Sequence, residues 1–187
     1  MPVAWQSQFH GTCWKRVVHF PSFEWCAIVM KVKPDLLHAV REPDARYLQP
    51  AATGTLVDSC ILIDVLADDP QWCEWSLEQL DRCGQQAPLV INPIILAEIS
   101  PRFERAADLE AALAALPLVR QALPWDAAFL AGQAFKVYRG AQGAKTSPMP
   151  DFYIGAHALV NGLQLLTRDA ARYRSYFPRL QIVAPEA

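Results

Sequence analysis

Short apolar runs alternate with longer amphipathic segments from Thr55 to the C-terminus. The apolar runs predict buried strands at residues 56–57 and 88–91, a third strand candidate at 118–123, and further strands at 163–166 and 180–183. The intervening segments predict helices at 59–67, 74–83, 93 onwards, 105–116, 126–139, 150–161 and 170–176. Apolar strands that alternate with helices are typical of an α/β fold. In such a fold a central, mostly parallel sheet carries helices on both faces and makes three layers.

Residues with strong capping preferences predict several of the helix ends. Asn92 suits an N-cap, because its short side chain can accept a hydrogen bond from the first turn, and Pro93 suits the first helical position. Gly84 predicts the C-terminal end of the second helix, and Asn161-Gly162 predicts the end of the sixth.

Four acidic residues lie close to the ends of the apolar strands: Asp58, Glu98, Asp151 and Asp169. Asp58 and Asp169 come just after predicted strands, whereas Glu98 and Asp151 lie in the first two turns of predicted helices. The carboxyl ends of parallel strands meet at one edge of the sheet, where ligands bind beside the switch in strand order. Like charges gathered at a partly buried edge cost free energy unless a cation lies among them. We therefore predict a hard divalent metal ion held by these carboxylates.

Residues 1–53 differ from the rest of the chain. They contain five of the 15 prolines and three of the six tryptophans, and no helical or strand period persists. We interpret them either as a poorly ordered extension or as sequence upstream of the true start of translation, and assign the folded domain to residues 54–187. A zinc site is a poor alternative, because no common finger spacing matches His10, Cys13, His19 and Cys26.

Composition narrows the class of protein. The chain has 187 residues, 52% of them hydrophobic, which suits one domain with an ordinary core and excludes a disordered protein. No apolar run approaches the roughly 20 residues that span a membrane, so we expect no membrane segment. Five cysteines, an odd number with no CxxC pair, argue against a disulfide framework and favour the reducing cytoplasm.

The net charge of −2 conceals an uneven distribution along the chain. Residues 54–126 hold twelve acids and four bases, whereas residues 127–187 hold seven bases and three acids. Two of those three acids are Asp151 and Asp169. The C-terminal third is therefore basic apart from the candidate site, which would suit an anionic polymer held near a bound metal ion, although a basic surface with no such role has the same pattern.

These features resemble those of PIN-domain proteins, and within that group VapC-type ribonuclease toxins of bacterial toxin–antitoxin pairs. The similarity covers about residues 54–185. Four motifs occur in the family order: Leu56–Asp64, Asn92–Ser100, Pro150–Ala158 and Leu165–Asp169. Residues 1–53 depart from the family, whose members begin a few residues before the first acid.

The resemblance implies an endoribonuclease that depends on Mg²⁺ or Mn²⁺. It assigns catalysis and metal binding to the acidic quartet, with Ser59 in the place of a supporting hydroxyl. Thr167 is a second supporting candidate, which would hydrogen-bond a carboxylate or satisfy the strand end. The resemblance also implies a homodimer and an antitoxin partner. Candidates for RNA phosphate contacts are Arg139, Lys145, Arg168, Arg172 and Arg174.

Structural explanations also exist for individual acids. Asp58 and Asp169 can cap the helices that follow them, and the helix dipole favours Asp151 in a first turn. Glu98 has no such explanation, since it lies in an apolar helix. We assign four further acids to surface or capping positions, namely Asp64, Asp68, Asp69 and Asp126, and we expect His157 to be packed or partly exposed rather than a ligand.

Other functions remain open at this stage. A phosphoaspartyl phosphatase also uses an Asp after its first strand but needs a second Asp two residues later, where this chain has Cys60. A receiver domain would need adjacent acids before the phosphoacceptor strand and a late lysine, and neither is evident in this chain. Within the PIN group, a degenerate domain that binds RNA or a partner without catalysis, or a housekeeping RNA-processing nuclease, is the main alternative to a toxin.

Overall fold

A computed structural model of the chain describes residues 54–141 and 143–186, whose strands form one five-stranded sheet. The strands are β1 Thr55–Val57, β2 Leu89–Ile91, β3 Leu118–Arg120, β4 Gln164–Leu166 and β5 Ile182–Val183. Their order is β3-β2-β1-β4-β5, and all four neighbouring pairs are parallel. The predicted α/β fold is confirmed, and the described part of the sheet is wholly rather than mostly parallel.

Seven α-helices connect or follow these strands within the described residues. They are α1 Ser59–Leu66, α2 Cys73–Gln86, α3 Pro93–Ile99, α4 Ala106–Leu113, α5 Trp125–Gly140, α6 Pro150–Val160 and α7 Ala170–Tyr176. A short 3₁₀ turn, Ser100–Arg102, extends α3. The prediction for α7 is confirmed at both ends, whereas α4 is shorter than predicted.

The predicted end of α2 at Gly84 is wrong. The helix continues to Gln86, and Gly84 lies inside it, close to the side chain of Leu89 on β2. The left-handed backbone that allows glycine to end a helix occurs instead at Gly162, with φ 63°. Gly162 follows Asn161, the C-cap of α6, as predicted.

Both faces of the sheet are covered where β1 and β2 cross its centre. Every residue of these two strands is buried, including the polar Thr55. Consecutive side chains of a strand point to opposite faces, so uninterrupted burial requires packing on each side. The register places Leu56 between Val90 and Leu165, in the middle of the core.

The strand order creates a switch point between β1 and β4. From β1 the chain moves outward through β2 to β3, and then returns to the other side of β1 as β4. The connections after β1 and β4 therefore leave the sheet in opposite directions and open a crevice at its carboxyl edge. Asp58 follows β1 and Thr167 follows β4, so both lie at this crevice.

The predictions for residues 1–53, including the extension and the His10–Cys26 zinc alternative, lie outside the described residues. Across the two described ranges, no helix has the length and apolar character required to cross a membrane.

Candidate active site

Asp58 is the buried centre of the candidate site, with 6% of its surface exposed. Its Oδ2 atom accepts hydrogen bonds from the Thr167 hydroxyl at 2.6 Å and the Tyr173 hydroxyl at 3.1 Å, while Oδ1 accepts one from Ser59 N–H at 2.8 Å. Burial raises the pKa of Asp58, and the Asp151 charge raises it further, although these hydrogen bonds oppose the shift. The carboxylate is held in one orientation by β4, α1 and α7 together.

Comparison with Asn92 argues against a simple capping role for Asp58. Each residue follows a central strand and precedes a helix. Asn92 caps α3 in the usual way, because its Oδ1 accepts from Ile94 and Ile95 N–H at 2.9 and 3.0 Å. Asp58 instead contacts the N–H of the first helical residue, Ser59, and gives its other oxygen to side chains from distant elements.

Ser59 connects Asp58 to Glu98. The Ser59 hydroxyl donates to Glu98 Oε2 at 2.9 Å, across the gap between α1 and α3. Burial raises the pKa of Glu98, the Ser59 hydrogen bond lowers it, and the charges of Asp58 and Asp151 raise it again. The structure thus brings Asp58, Ser59 and Glu98 into one hydrogen-bonded group, with Asp151 close enough to repel both carboxylates.

Asp151 and Asp169 lie on the α7 side of the group and share one guanidinium. Arg172 Nη1 is 2.5 Å from Asp151 Oδ2, and Arg172 Nη2 is 3.7 Å from Asp169 Oδ2. Asp151 belongs to the first turn of α6, whereas Asp169 occupies the N-cap position of α7 without making a side-chain capping bond. All four predicted acids therefore lie at the carboxyl edge of the sheet, two around Ser59 and two around Arg172.

The chemistry of the donors at this site suits a divalent cation, whereas their spacing does not form a compact group of ligands. The donors are carboxylate oxygens, which Mg²⁺ and Mn²⁺ prefer, and the mutual repulsion of Asp58, Glu98 and Asp151 would be relieved by positive charge. However, no three His, Cys, Asp or Glu side chains of the described ranges are grouped closely enough to hold a metal ion. The residues fit the ion in chemistry and charge, and the metal assignment stays a prediction.

Comparisons with known proteins identify the family of this fold. A family model described as the PIN domain matches residues 55–177. The chain belongs to the PIN-domain family. Strands β1 to β4, the seven helices and the acidic edge lie within the matched range, and β5 lies just beyond it. No curated protein sequence matches the chain at a significant level.

Two solved complexes resemble this PIN domain in fold. The VapBC2 structure from Rickettsia felis, bound to a DNA fragment from its promoter, aligns with a TM-score of 0.55 and 15% identity, covering 70% of this chain and 98% of that one. The DNA-bound VapBC structure from Salmonella typhimurium aligns with a TM-score of 0.52 and 20% identity, covering 70% and 97% of the two chains. At these identities the likeness concerns the fold alone.

Two side chains of the PIN-domain site escaped sequence reasoning. Tyr173 is buried on α7 and donates to Asp58, and Cys60 Sγ lies 3.6 Å from Asp58 Oδ2. Burial raises the pKa of the Cys60 thiol to about 11, so it is neutral at physiological pH and is a weak hydrogen-bond donor. Only the docking of α7 on the sheet brings Tyr173 to Asp58, and no local pattern indicates that docking.

The assignment of Asp64 to a surface or capping position is wrong. Asp64 is buried with 1% exposure, accepts a hydrogen bond from Ser76 Oγ at 2.7 Å, and has Arg168 Nε 2.9 Å from its Oδ2. The Arg168 N–H does not point at that oxygen, so the contact is an ion pair without a hydrogen bond. Arg168 also lies 5.1 Å above the Trp72 ring. Arg168, which the sequence predicted as an RNA contact, therefore already interacts with Asp64 and Trp72 of its own domain.

The other predicted RNA contacts differ in their surroundings. Arg139 is exposed but donates to the carbonyl oxygens of Gly143 and Lys145, at 2.9 and 3.0 Å, and so closes the loop after α5. Lys145 and Arg174 are exposed. Arg172 pairs with two of the site acids, as described above. RNA binding by these residues stays a prediction.

Proposed function

We propose that this PIN domain is a metal-dependent endoribonuclease of the VapC type, the toxin of a toxin–antitoxin pair. The observation that carries the proposal is the hydrogen-bonded group of Asp58, Ser59 and Glu98 at the carboxyl edge of a PIN-domain sheet. PIN domains are generally nucleases. Burial disfavours the charge of Asp58, and a bound cation would stabilise that charge.

The side chains of the site supply binding and orientation. Mg²⁺ or Mn²⁺, when bound, would lower the pKa of a coordinated water and offset charge on the scissile phosphate. Asp58, Glu98, Asp151 and Asp169 would hold the ion. The Thr167 and Tyr173 hydroxyls fix the rotation of the Asp58 carboxylate, and the Ser59 hydroxyl fixes that of Glu98. The Asp58 and Glu98 carboxylates are thereby oriented before a metal ion binds, which reduces the side-chain entropy lost on binding.

The partners that we propose are RNA and an antitoxin. The basic residues of the C-terminal third would attract a phosphate polymer. The fold likeness to VapBC complexes supports a protein partner, which in a toxin–antitoxin pair would be the antitoxin. The free thiols of Cys60, Cys73 and Cys83 are compatible with the reducing cytoplasm in which such a pair would act.

Cleavage of RNA by the purified full chain tests the enzymatic part of the proposal. We expect labelled RNA to be cut in Mg²⁺ or Mn²⁺ and left intact when EDTA is added. Asp58→Asn should reduce cleavage on the order of 100-fold or more, because it removes a ligand charge from the centre of the site. Asp126→Asn is the matched control, since this exposed acid lies in the first turn of α5. Full activity of Asp58→Asn would overturn the site assignment.

Expression in bacteria tests the toxin role separately. Induction of the chain alone should arrest growth, and co-expression of the neighbouring gene should restore it. Arrest should disappear with Asp58→Asn. An enzyme that cuts RNA in vitro and never affects growth would be a housekeeping nuclease, whereas a chain that binds RNA without cutting it would be a non-catalytic PIN domain.

A further inference from the structure

We infer that Arg172 is a built-in counter-ion that competes with the divalent cation for Asp151 and Asp169. The inference rests on the proposed metal-dependent function and concerns how that site is controlled. It assigns Arg172 a role beside the predicted contact with RNA, which stays a prediction. Binding of the cation weakens the Arg172 ion pairs, and these ion pairs weaken binding of the cation, because the two positive groups repel each other.

The position of the Arg172 guanidinium is the first observation that supports competition with a cation. Arg172 Nη1 contacts Asp151 Oδ2 on α6, and Arg172 Nη2 approaches Asp169 Oδ2 at the start of α7. One positive group thus contacts two acids from two elements, both of which would hold the proposed ion. Each carboxylate keeps a second oxygen, but a cation that binds these acids meets the positive charge of the guanidinium and is therefore held less tightly.

The negative charge of the site acids is the second observation that supports this competition. Asp151 repels Asp58 and Glu98, so the site gathers negative charge on both of its sides. Without metal, Arg172 offsets part of that charge through its ion pairs with Asp151 and Asp169.

The exposure of the Arg172 side chain is the third observation that supports this competition. Its side chain is 44% exposed, and the contacts described for it are with the two acids alone. Arg168, by contrast, is held by buried Asp64 and the Trp72 ring. Arg172 can therefore turn into solvent when a divalent ion replaces it, whereas Arg168 would leave a buried carboxylate unpaired.

Direct binding of Mn²⁺ to the full chain tests the inference. Measured by isothermal titration calorimetry, the dissociation constant for Mn²⁺ should be about two- to tenfold lower for Arg172→Gln than for the wild type. This is the range expected for loss of partly exposed ion pairs. Arg174→Gln is the matched control, because it removes the same charge from an exposed position two residues away on α7. Its dissociation constant should equal that of the wild type.

Thermal unfolding gives a second readout that needs no catalysis. Without metal, Arg172→Gln should melt below the wild type, since Asp151 and Asp169 lose their counter-ion. Added Mn²⁺ should then raise its melting temperature by more than it raises that of the wild type. Equal or weaker Mn²⁺ binding by Arg172→Gln, with the wild type binding normally, overturns the competition alone. If neither protein binds Mn²⁺, the metal-dependent function fails with it.

Discussion

At the scale of single residues, Thr167 shows how one hydroxyl serves two acids. Its Oγ1 donates to Asp58 Oδ2 at 2.6 Å and accepts from Asp169 N–H at 3.1 Å. The hydroxyl thus makes the bond to a carboxylate that the sequence raised as one alternative, and it also accepts from the backbone that follows the strand. Because Thr167 and Asp58 are both buried, the Asp58 oxygen would be left without this partner if the hydroxyl is lost.

Thr167→Val should separate this role from packing, because the two side chains have nearly the same shape. We expect the free energy of unfolding to fall by about 1–3 kcal/mol, the usual cost of leaving a buried polar group without its partner. RNA cleavage should also fall, since the Asp58 carboxylate loses its shortest hydrogen bond. Urea unfolding and the cleavage rate check this. Thr167→Ser retains the hydroxyl and should recover most of both, and a Val variant with wild-type values would contradict the assigned role.

At the scale of secondary-structure elements, α6 contacts both α7 and the start of α3, the helices that carry Tyr173 and Glu98. Gly155 lets α7 approach closely, because a Cβ atom there would lie 2.5 Å from the Phe177 ring and 3.1 Å from the Tyr173 ring. Tyr173 is thereby placed against Asp58. Farther along α6, His157 contacts Asn92, the N-cap of the helix that carries Glu98.

The contact of His157 with Asn92 favours the neutral form of the ring, whose other nitrogen, Nε2, lies 3.0 Å from Asn161 Nδ2. Asn92 Oδ1 is used by the N–H groups of Ile94 and Ile95, so Asn92 presents its amide N–H to His157 Nδ1 at 3.0 Å. Nδ1 must then accept a hydrogen bond and cannot carry a proton. Burial lowers the pKa of His157 to about 4, well below its ordinary value of 6.5. The expectation of a packed histidine is confirmed.

This histidine should make the stability of the domain depend on pH. Its stabilising contribution is complete above pH 6.5. It decreases as the pH falls from 6.5 towards 4, because the unfolded chain binds a proton that the folded chain refuses. The loss over this window is about 3 kcal/mol. We expect His157→Gln to show a correspondingly shallower decline in the free energy of unfolding, measured by urea titration from pH 7.5 to 4. Parallel profiles for the two proteins would refute the neutral, buried histidine.

At the scale of the whole molecule, apolar surface remains uncovered on α5. Trp125 is 92% exposed and Phe129, one turn later on the same side of the helix, is 52% exposed. Adjacent exposed aromatic side chains of this size are typical of protein interfaces. They are the described residues best suited to the homodimer that the family resemblance implies.

Substitution of these two aromatic residues tests the homodimer. We expect Trp125→Ser with Phe129→Ser to shift the chain from dimer to monomer, because the apolar area that would be buried between subunits is lost. Light scattering coupled to gel filtration measures the mass directly. Leu77→Ser is the matched control, since Leu77 is a 45% exposed apolar residue on a different helix, α2. A dimer that survives the double substitution would place the interface elsewhere.

Sequence reasoning succeeded where the signal was local. The apolar runs predicted the strands, Asn92 and Pro93 predicted the start of α3, and strand ends predicted where Asp58 would lie. It failed at Gly84, where a glycine that suits a helix end lies inside a continuous helix. It failed again at Asp64, because burial of an acid depends on a distant partner, here Arg168.

The sequence by itself determined the strands, the helices and the edge of the sheet at which the acids emerge, because these depend on periodicity and on the direction of parallel strands. Only the tertiary structure decided which groups the acids meet. Tyr173 reaches Asp58 and Arg172 reaches Asp151 because α6 and α7 pack closely beside β4. Side-chain pairing across 21 or 115 residues depends on that packing, and no local pattern along the chain specifies it.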